Sequence, residues 1–106
     1  MIVRISSAIV PSSGFDEYLE HLRTALPNYE VAEGLVWVAC LRQPFVAYVE
    51  VMTLSVWKSE QAMARFMESA PTKDNPANPS GVIELDPHAY ELLVSAEGKF
   101  QDAEDT

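Results

Sequence analysis

One stretch of the chain, residues 48–70, constrains the fold more than any other. Its first ten residues, YVEVMTLSVW, are rich in β-branched, aromatic and long apolar side chains and contain neither Gly nor Pro, which is typical of a β-strand. Ser59 then offers a helix-capping hydroxyl, and Met63, Phe66 and Met67 recur at the spacing of one helical face. Pro71 ends this helix. The stretch therefore predicts a strand that passes directly into a capped helix.

The rest of the chain predicts elements that pack against this unit. Residues 2–10 form a strand that Pro11 ends, residues 15–26 form an amphipathic helix that Pro27 ends or kinks, and residues 35–41 form a second strand. A turn at 42–44 joins it to the third strand as a hairpin. After a proline-rich loop at 71–81, residues 82–85 form a short strand or an extended arm, and a last strand covers 89–96. The order β-α-β-β-α-β predicts a ferredoxin-like α+β fold, with two helices on one face of a four-stranded antiparallel sheet. Residues 1–96 form this single domain, and residues 97–106 form an acidic, flexible tail.

The two central strands are apolar on both faces. In the second strand, Trp37 and Leu41 alternate with Val38 and Cys40, and in the third strand only Glu50 carries a charge. Two helices can cover one face of such a sheet, and the other face would be an exposed apolar patch. A second copy of the chain, packed sheet against sheet, covers that patch most simply, so the sequence predicts a homodimer.

Composition excludes several classes of function. The net charge of −9 and the pI of about 4.4 argue against nucleic-acid binding, which needs clustered Lys and Arg. No apolar run approaches the length of a membrane span, and the N-terminal apolar segment is too short for a signal peptide, so we expect a cytoplasmic protein. The single cysteine, Cys40, lies in an apolar run without a His/Cys cluster, so no metal or other cofactor is expected.

The junction VWKSEQAMARFMES, residues 56–69, together with the turn Glu33-Gly34-Leu35 and the element order, resembles the antibiotic biosynthesis monooxygenase (ABM) group of the dimeric α+β barrel superfamily. The resemblance spans about residues 2–96. It implies a pocket between the helices and the sheet. It also implies cofactor-independent oxidation of a small, aromatic substrate by O₂, since a deprotonated electron-rich phenol can itself reduce oxygen. The sequence leaves a second interpretation open, which is a non-catalytic dimeric barrel that binds a small hydrophobic ligand or a protein partner.

Haem-degrading members of the group carry an Asn, a Trp and an axial His at positions that correspond here to Ser7, Phe66 and Pro76. None of the three matches, and no histidine lies between His21 and His88. The sequence therefore argues against haem degradation.

The candidate site residues follow from position and residue type. Trp57, at the end of the third strand, shares a face with Thr53, and both are predicted to contact substrate, as are Ser7 and Phe66 at the positions that the resemblance indicates. His88, which follows the long loop, is the predicted catalytic proton-transfer group because its unperturbed pKa is near neutral. Each of these residues could instead have a purely structural role, and His88 could be a solvated residue beside a turn.

Two charged residues interrupt apolar strands, Arg4 in the first and Glu50 in the third. Because an unpaired buried charge is costly, the sequence predicts that they pair with each other across the sheet. A substrate-orienting role for Arg4 is the alternative.

Overall fold

The computed structural model describes residues 1–69 and 81–96. In chain order the elements are β1 (Ile2–Pro11), a short 3₁₀ turn, α1 (Phe15–Glu30), β2 (Leu35–Pro44), β3 (Tyr48–Trp57), α2 (Glu60–Ser69), β4 (Ile83–Glu84) and β5 (His88–Glu91). The strands form one antiparallel sheet in the order β2-β3-β1-β4, and β5 also pairs with β1. This is the predicted ferredoxin-like α+β fold. The predicted tail at 97–106 and most of the 71–81 loop lie outside the described residues.

Two short strands, β4 and β5, form one edge of the sheet; β4 lies within residues 82–85, which the sequence predicts as a short strand or an extended arm, and β5 overlaps the last strand predicted over 89–96. β4 pairs with Ala8 and Ile9 in the last part of β1 and β5 with its first half, so both occupy the same edge of the sheet. The prediction that residues 89–96 form a strand is therefore right only for its first part. Pro87 follows Asp86 between the two strands, and a proline has no N–H to continue a ladder.

Helix α1 continues through Pro27 to Glu30, where the sequence predicted an end or a kink. No side chain caps its first turn. Helix α2 begins as predicted, because the N–H of Ala62 donates to the hydroxyl of Ser59 at 3.1 Å.

The core lies between α1 and the helix-facing side of the sheet. Strand register places Ala8 opposite Val51 and Val10 opposite Val49, and these four side chains are buried with Tyr18 of α1. Side chains alternate between faces along a strand, so even-numbered residues of β1 and odd-numbered residues of β3 face the helices. The remaining residues of both strands lie on what we call the open face, which no described helix covers.

The same register corrects the predicted pair between Arg4 and Glu50. Arg4 stands opposite Ser55 on the helix-facing side, whereas Glu50 stands opposite Ile9 on the open face. The two charges are therefore on opposite sides of the sheet. The ion pairs found among the described residues are Arg23–Glu20 and Arg65–Glu33, both exposed, and Arg4 takes part in neither.

Candidate functional site

A cavity of about 290 Å³ lies between the helices and the sheet. β1 and β3 form its floor, α1 and α2 its roof, and the segment from β4 to Pro87 its side. Its wall combines apolar and polar side chains, as small-molecule sites do. The lining residues are Arg4, Ser6, Ser7, Ala8, Tyr18, Tyr29, Val51, Thr53, Met67, Glu84, Leu85 and Pro87.

The polar residues reach the cavity because β1 and β3 carry small or polar residues where a core would carry larger apolar ones. Ser6 stands opposite Thr53, one pair further along the helix-facing side than Ala8 and Val51. The next pair on that side is Arg4 and Ser55. The floor of the cavity is therefore apolar and filled near Ala8, and it becomes polar and open toward the start of β1.

The guanidinium of Arg4 is the one cation among the described residues that line this cavity. Its charge acts on the neighbouring phenol of Tyr29, where it favours the phenolate and opposes the effect of burial. Arg4 lines the cavity and belongs to neither ion pair found among the described residues.

Two tyrosines on α1 form the roof. Burial raises the pKa of Tyr18 to about 12, and the negative charge of nearby Glu84 adds to the shift. Burial likewise raises the pKa of Tyr29, against the opposing effect of Arg4. Both side chains are therefore neutral at pH 7, and each presents an O–H that can donate a hydrogen bond.

An aromatic cluster of Tyr29, Trp57 and Phe66 lies behind this roof. The ring of Tyr29 is 4.7 Å from that of Phe66 and 6.4 Å from that of Trp57, and the Trp57 and Phe66 rings are 5.2 Å apart. Trp57 is fully buried, and its indole N–H donates to the hydroxyl of Ser55 at 2.9 Å. The cluster fixes the position of Tyr29, whose ring belongs both to the cluster and to the cavity wall.

The structure brings together only some of the predicted site residues. Thr53 lines the cavity. Ser7 borders it, but stands opposite Met52 on the open face, and its carbonyl accepts the N–H of Leu85 at 2.9 Å. Trp57 and Phe66 are not among the lining residues and support Tyr29 from behind. His88 stands opposite Ile5 on the open face, beside Tyr90, so the sheet separates it from the cavity.

Sequence reasoning gave too little weight to the residues that make the cavity polar. The sequence predicts a pair between Arg4 and Glu50, and its motifs single out neither Tyr29 nor Glu84. A signal was present for Arg4, because Arg4 and Ser6 have the same parity as the buried Ala8 and Val10. Tyr29 gave no such signal, since it follows the proline that was expected to end the helix.

Two further cavities adjoin the first beneath α1. One of about 120 Å³ shares Tyr18, Tyr29, Thr53 and Glu84 with it, and His21 contributes to its wall. Another of about 280 Å³ lies near the β2 edge, between Phe15 and Arg42. In residues 1–69 and 81–96, no group of three or more His, Cys, Asp or Glu side chains is arranged to hold a metal ion. The same residues contain no helix long and apolar enough to cross a membrane.

Solved structures match the fold of this chain, whereas comparisons of its sequence find no match. No protein-family model matches the chain, and no curated protein sequence matches it. One similar solved structure is that of the haem degrader MhuD from Mycobacterium tuberculosis, with two haems bound in its active site. It superposes with a TM-score of 0.67 and 18% sequence identity, over 92% of this chain and 100% of that one. A Bacillus cereus protein assigned to the antibiotic biosynthesis monooxygenases has a TM-score of 0.69 and 19% sequence identity, over 92% of this chain and 97% of that one.

The chain therefore has the same fold as solved structures of ABM-like proteins. SnoaB from Streptomyces nogalater, a cofactor-independent oxygenase, shares the ABM-like fold with a TM-score of 0.63 at 12% identity, over 89% of this chain and 95% of that one. Identities this low establish the fold and not the chemistry, because one fold hosts many activities. The ABM-like resemblance predicted from the VWKS junction is thus confirmed as a statement about structure.

Proposed function

We propose that the protein is a cofactor-independent monooxygenase that oxidises a small aromatic molecule with an acidic phenol or enol in the 290 Å³ cavity. The observation that carries this proposal is the placement of Arg4 and two neutral phenols, Tyr18 and Tyr29, in one cavity whose wall also carries apolar side chains. A cation beside hydrogen-bond donors in a site of low dielectric stabilises an oxyanion. The ABM-like fold, which is shared with a cofactor-independent oxygenase, supports the proposal.

The reaction that suits this site is oxidation of an activated methylene to a ketone. A substrate of the anthrone type loses a proton to become an electron-rich anion, which reduces O₂ directly. In the overall reaction R₂CH₂ + O₂ → R₂C=O + H₂O, one oxygen atom enters the substrate and the other leaves as water, and the substrate supplies every electron. The protein has to bind the anion and exclude bulk water.

The lining residues divide this work between them. Arg4 holds the oxyanion, and the O–H of Tyr29 donates to it. Glu84 is the carboxylate in the cavity wall, and in this proposal it accepts the substrate proton. His88 does not have that role here, because it lies on the other side of the sheet.

A haem held by an axial histidine does not fit this cavity. The chain has two histidines, His21 and His88, and neither lines the 290 Å³ cavity. We therefore do not extend haem degradation from MhuD to this protein.

We also propose that the functional unit is a homodimer formed through the open face. Trp37, Leu41 and Tyr90 lie on that face and are each about half exposed, at 53%, 50% and 52%. Contiguous apolar surface of this kind marks an interface, and a two-fold axis needs only one self-complementary patch. Sedimentation velocity should give twice the chain mass of 11.8 kDa, and Trp37→Lys should give the monomer. A monomeric wild-type protein at micromolar concentration would rule the dimer out.

Oxygen consumption with dithranol, 1,8-dihydroxyanthrone, tests the enzymatic proposal. The wild-type protein should raise the rate above that of buffer, and Arg4→Gln should lower kcat/KM about 100-fold, as expected when one donor to a developing oxyanion is lost. Arg23→Gln is the matched control, because Arg23 lies in an exposed ion pair. Thermal melts confirm that both variants fold. If the wild-type protein consumes oxygen no faster than buffer alone, the interpretation that stands is a non-catalytic barrel that binds a ligand. Equal rates of oxygen consumption for Arg4→Gln and the wild type would refute the role of Arg4.

A further inference from the structure

Three polar residues cross the open face of the sheet on one diagonal line. Ser7 lies on β1, Glu50 stands on β3 opposite Ile9, and His88 stands on β5 opposite Ile5. Relative to Ser7, Glu50 is two residues further along β1 and one strand to one side. His88 is two residues back and one strand to the other side. Glu50 and His88 are therefore placed symmetrically about Ser7, and we call the three residues the polar diagonal.

The surroundings of the polar diagonal are apolar. On β1, β3 and β5, every other side chain of the open face is apolar except for the phenols of Tyr48 and Tyr90. Gln43 of β2 stands beside Glu50. Neither ion pair found among the described residues includes Glu50, a partly buried carboxylate. A second copy that covers this face would bury the carboxylate further, which is costly unless the same copy supplies a cation.

Within one chain, Glu50 and His88 are too far apart to meet. They are separated by four residues along the strands and by two strand spacings across the sheet. With the usual rise and spacing of a sheet, their Cα atoms are roughly 17 Å apart, which is more than the two side chains can span. A contact between these two side chains therefore requires a second copy of the chain.

One two-fold axis brings them together. An axis that runs between two facing sheets, over Ser7 and at right angles to the polar diagonal, exchanges the ends of the diagonal and places Glu50 of each protomer against the partner's His88. An axis along the diagonal would instead place each Glu50 against its own copy, where like charges repel. The diagonal makes an angle of roughly 35° with the strands, so the favoured axis makes the strands of the two sheets cross at roughly 70°. This is close to the orthogonal class of sheet packing.

We propose that two symmetric ion pairs, each between Glu50 of one protomer and the partner's His88, join the open faces and make assembly depend on pH. This inference rests on the proposed homodimer and assigns its axis and its polar contacts. A histidine gains its charge between about pH 8 and pH 5, and a carboxylate that faces it favours the charged form. The dimer therefore binds more protons than two separate protomers, so it should be tighter at low pH and weaken as the pH rises.

Other titratable groups lie near the two ends of the polar diagonal. The ring of Tyr90 is 6.3 Å from that of His88, and Asp86 precedes His88 by two residues. Tyr48 is on the same face of β3 as Glu50. Tyrosine side chains in general titrate near pH 10, outside the range in which a histidine changes charge. The carboxylate of Asp86 belongs to the same protomer as His88, so it needs a control variant of its own.

Dimer dissociation constants, measured by sedimentation velocity over a dilution series of the full chain, test the ion pairs. The wild-type dimer should be about 100-fold tighter at about pH 6 than at about pH 8.5, which is about tenfold for each of two pairs. His88→Gln should keep only the smaller gain that any protein of net charge −9 shows when acid reduces its self-repulsion. Asp86→Asn and His21→Gln, which changes the other histidine, should keep the full pH dependence.

An exchange of the two charges gives a second test. Glu50→Lys and His88→Glu should each weaken the dimer, because each removes the attraction and brings like charges together at about pH 6. The double variant Glu50→Lys/His88→Glu should restore the affinity and keep it at about pH 8.5, because neither a lysine nor a glutamate changes charge over this range. Circular dichroism spectra show whether each variant is folded.

The outcomes separate this inference from the proposed homodimer. An equal change of the dissociation constant with pH in the wild type and in His88→Gln would overturn the ion pairs and leave the homodimer in place, as would a double variant no tighter than either single variant. If the dimer does not dissociate on dilution, the rate of subunit exchange at the two pH values gives the same comparison. A wild-type protein that is monomeric at both pH values would overturn the homodimer and the ion pairs together.

Discussion

Gly34, in the turn between α1 and β2, gives the sharpest stability prediction. Its φ is +88°, in the left-handed region, and a Cβ built on it would lie 2.5 Å from the Cβ of Ala62 in α2. Its carbonyl accepts the N–H of Lys58 at 2.8 Å, just after β3, so the turn cannot easily move away from α2. A side chain at position 34 would therefore strain the backbone and also collide with α2.

The expected cost of Gly34→Ala is the sum of these two effects. The left-handed conformation costs a non-glycine residue about 1–2 kcal/mol. The collision adds about 1–3 kcal/mol, because the opposing atom is a Cβ fixed to a helix backbone and not the end of a flexible side chain. We expect the free energy of unfolding to fall by about 2–5 kcal/mol, a large share of the roughly 5–15 kcal/mol of a typical domain.

Urea denaturation followed by far-ultraviolet circular dichroism measures this loss, at one fixed protein concentration in case dimers dissociate on unfolding. Gly14→Ala is the matched control, since Gly14 has a φ of −106° and a Cβ there would meet nothing within 4 Å. The double variant Gly34→Ala/Ala62→Gly, compared with Ala62→Gly alone, separates the two effects, because the collision is removed, the backbone strain remains and the cost of a glycine inside α2 cancels. A Gly34→Ala protein within 1 kcal/mol of Gly14→Ala, where ~1 kcal/mol is the size of an ordinary substitution, would refute the reasoning.

Two other predictions follow from buried hydroxyl groups. The pKa of Tyr18 is about 12 in the folded protein and about 10 in the unfolded chain, so the unfolded state releases its proton first. The contribution of Tyr18 to stability should be complete below pH 10, and the free energy of unfolding should fall by about 2–3 kcal/mol as the pH rises to 12. Tyr18→Phe should remove this part of the alkaline loss in denaturation curves measured across that range. Ser55→Ala should lower the free energy of unfolding by about 1–3 kcal/mol, because the buried N–H of Trp57 loses its acceptor. Ser69→Ala, at an exposed hydroxyl, is the control. Equal unfolding free energies for the two variants would contradict a stabilising role for the Trp57–Ser55 hydrogen bond.

The sequence was sufficient for the fold because its strongest signals are local. The strand–helix junction, the Ser59 cap and the apolar face of α1 each depend on residues within one or two turns, and the structure confirms them. The end of α1 was misjudged because a proline loses only one helical hydrogen bond, and packing of Tyr29 against Phe66 holds the last turn in place. Such a contact between two helices is not visible in either helix alone.

The site was less predictable because it depends on register. Which residues of β1 face the helices follows from the pairing of Ala8 with Val51, and that pairing separates Arg4 from Glu50. The location of His88 depends in the same way on its partner Ile5. A one-residue change in register moves every side chain of a strand to the other face, so residue type alone could not locate these groups.

The two tryptophans of the chain lie in contrasting environments. Trp57 is 0% exposed within the aromatic cluster beside the cavity, whereas Trp37 is 53% exposed on the open face. Each face of the sheet therefore carries its own intrinsic fluorophore. Emission from Trp37 reports what covers the open face, and emission from Trp57 reports the environment of Tyr29 and the cavity. With Trp37→Phe and Trp57→Phe as single-fluorophore variants, each measured in its own sample, assembly and ligand binding can be followed separately without an attached label.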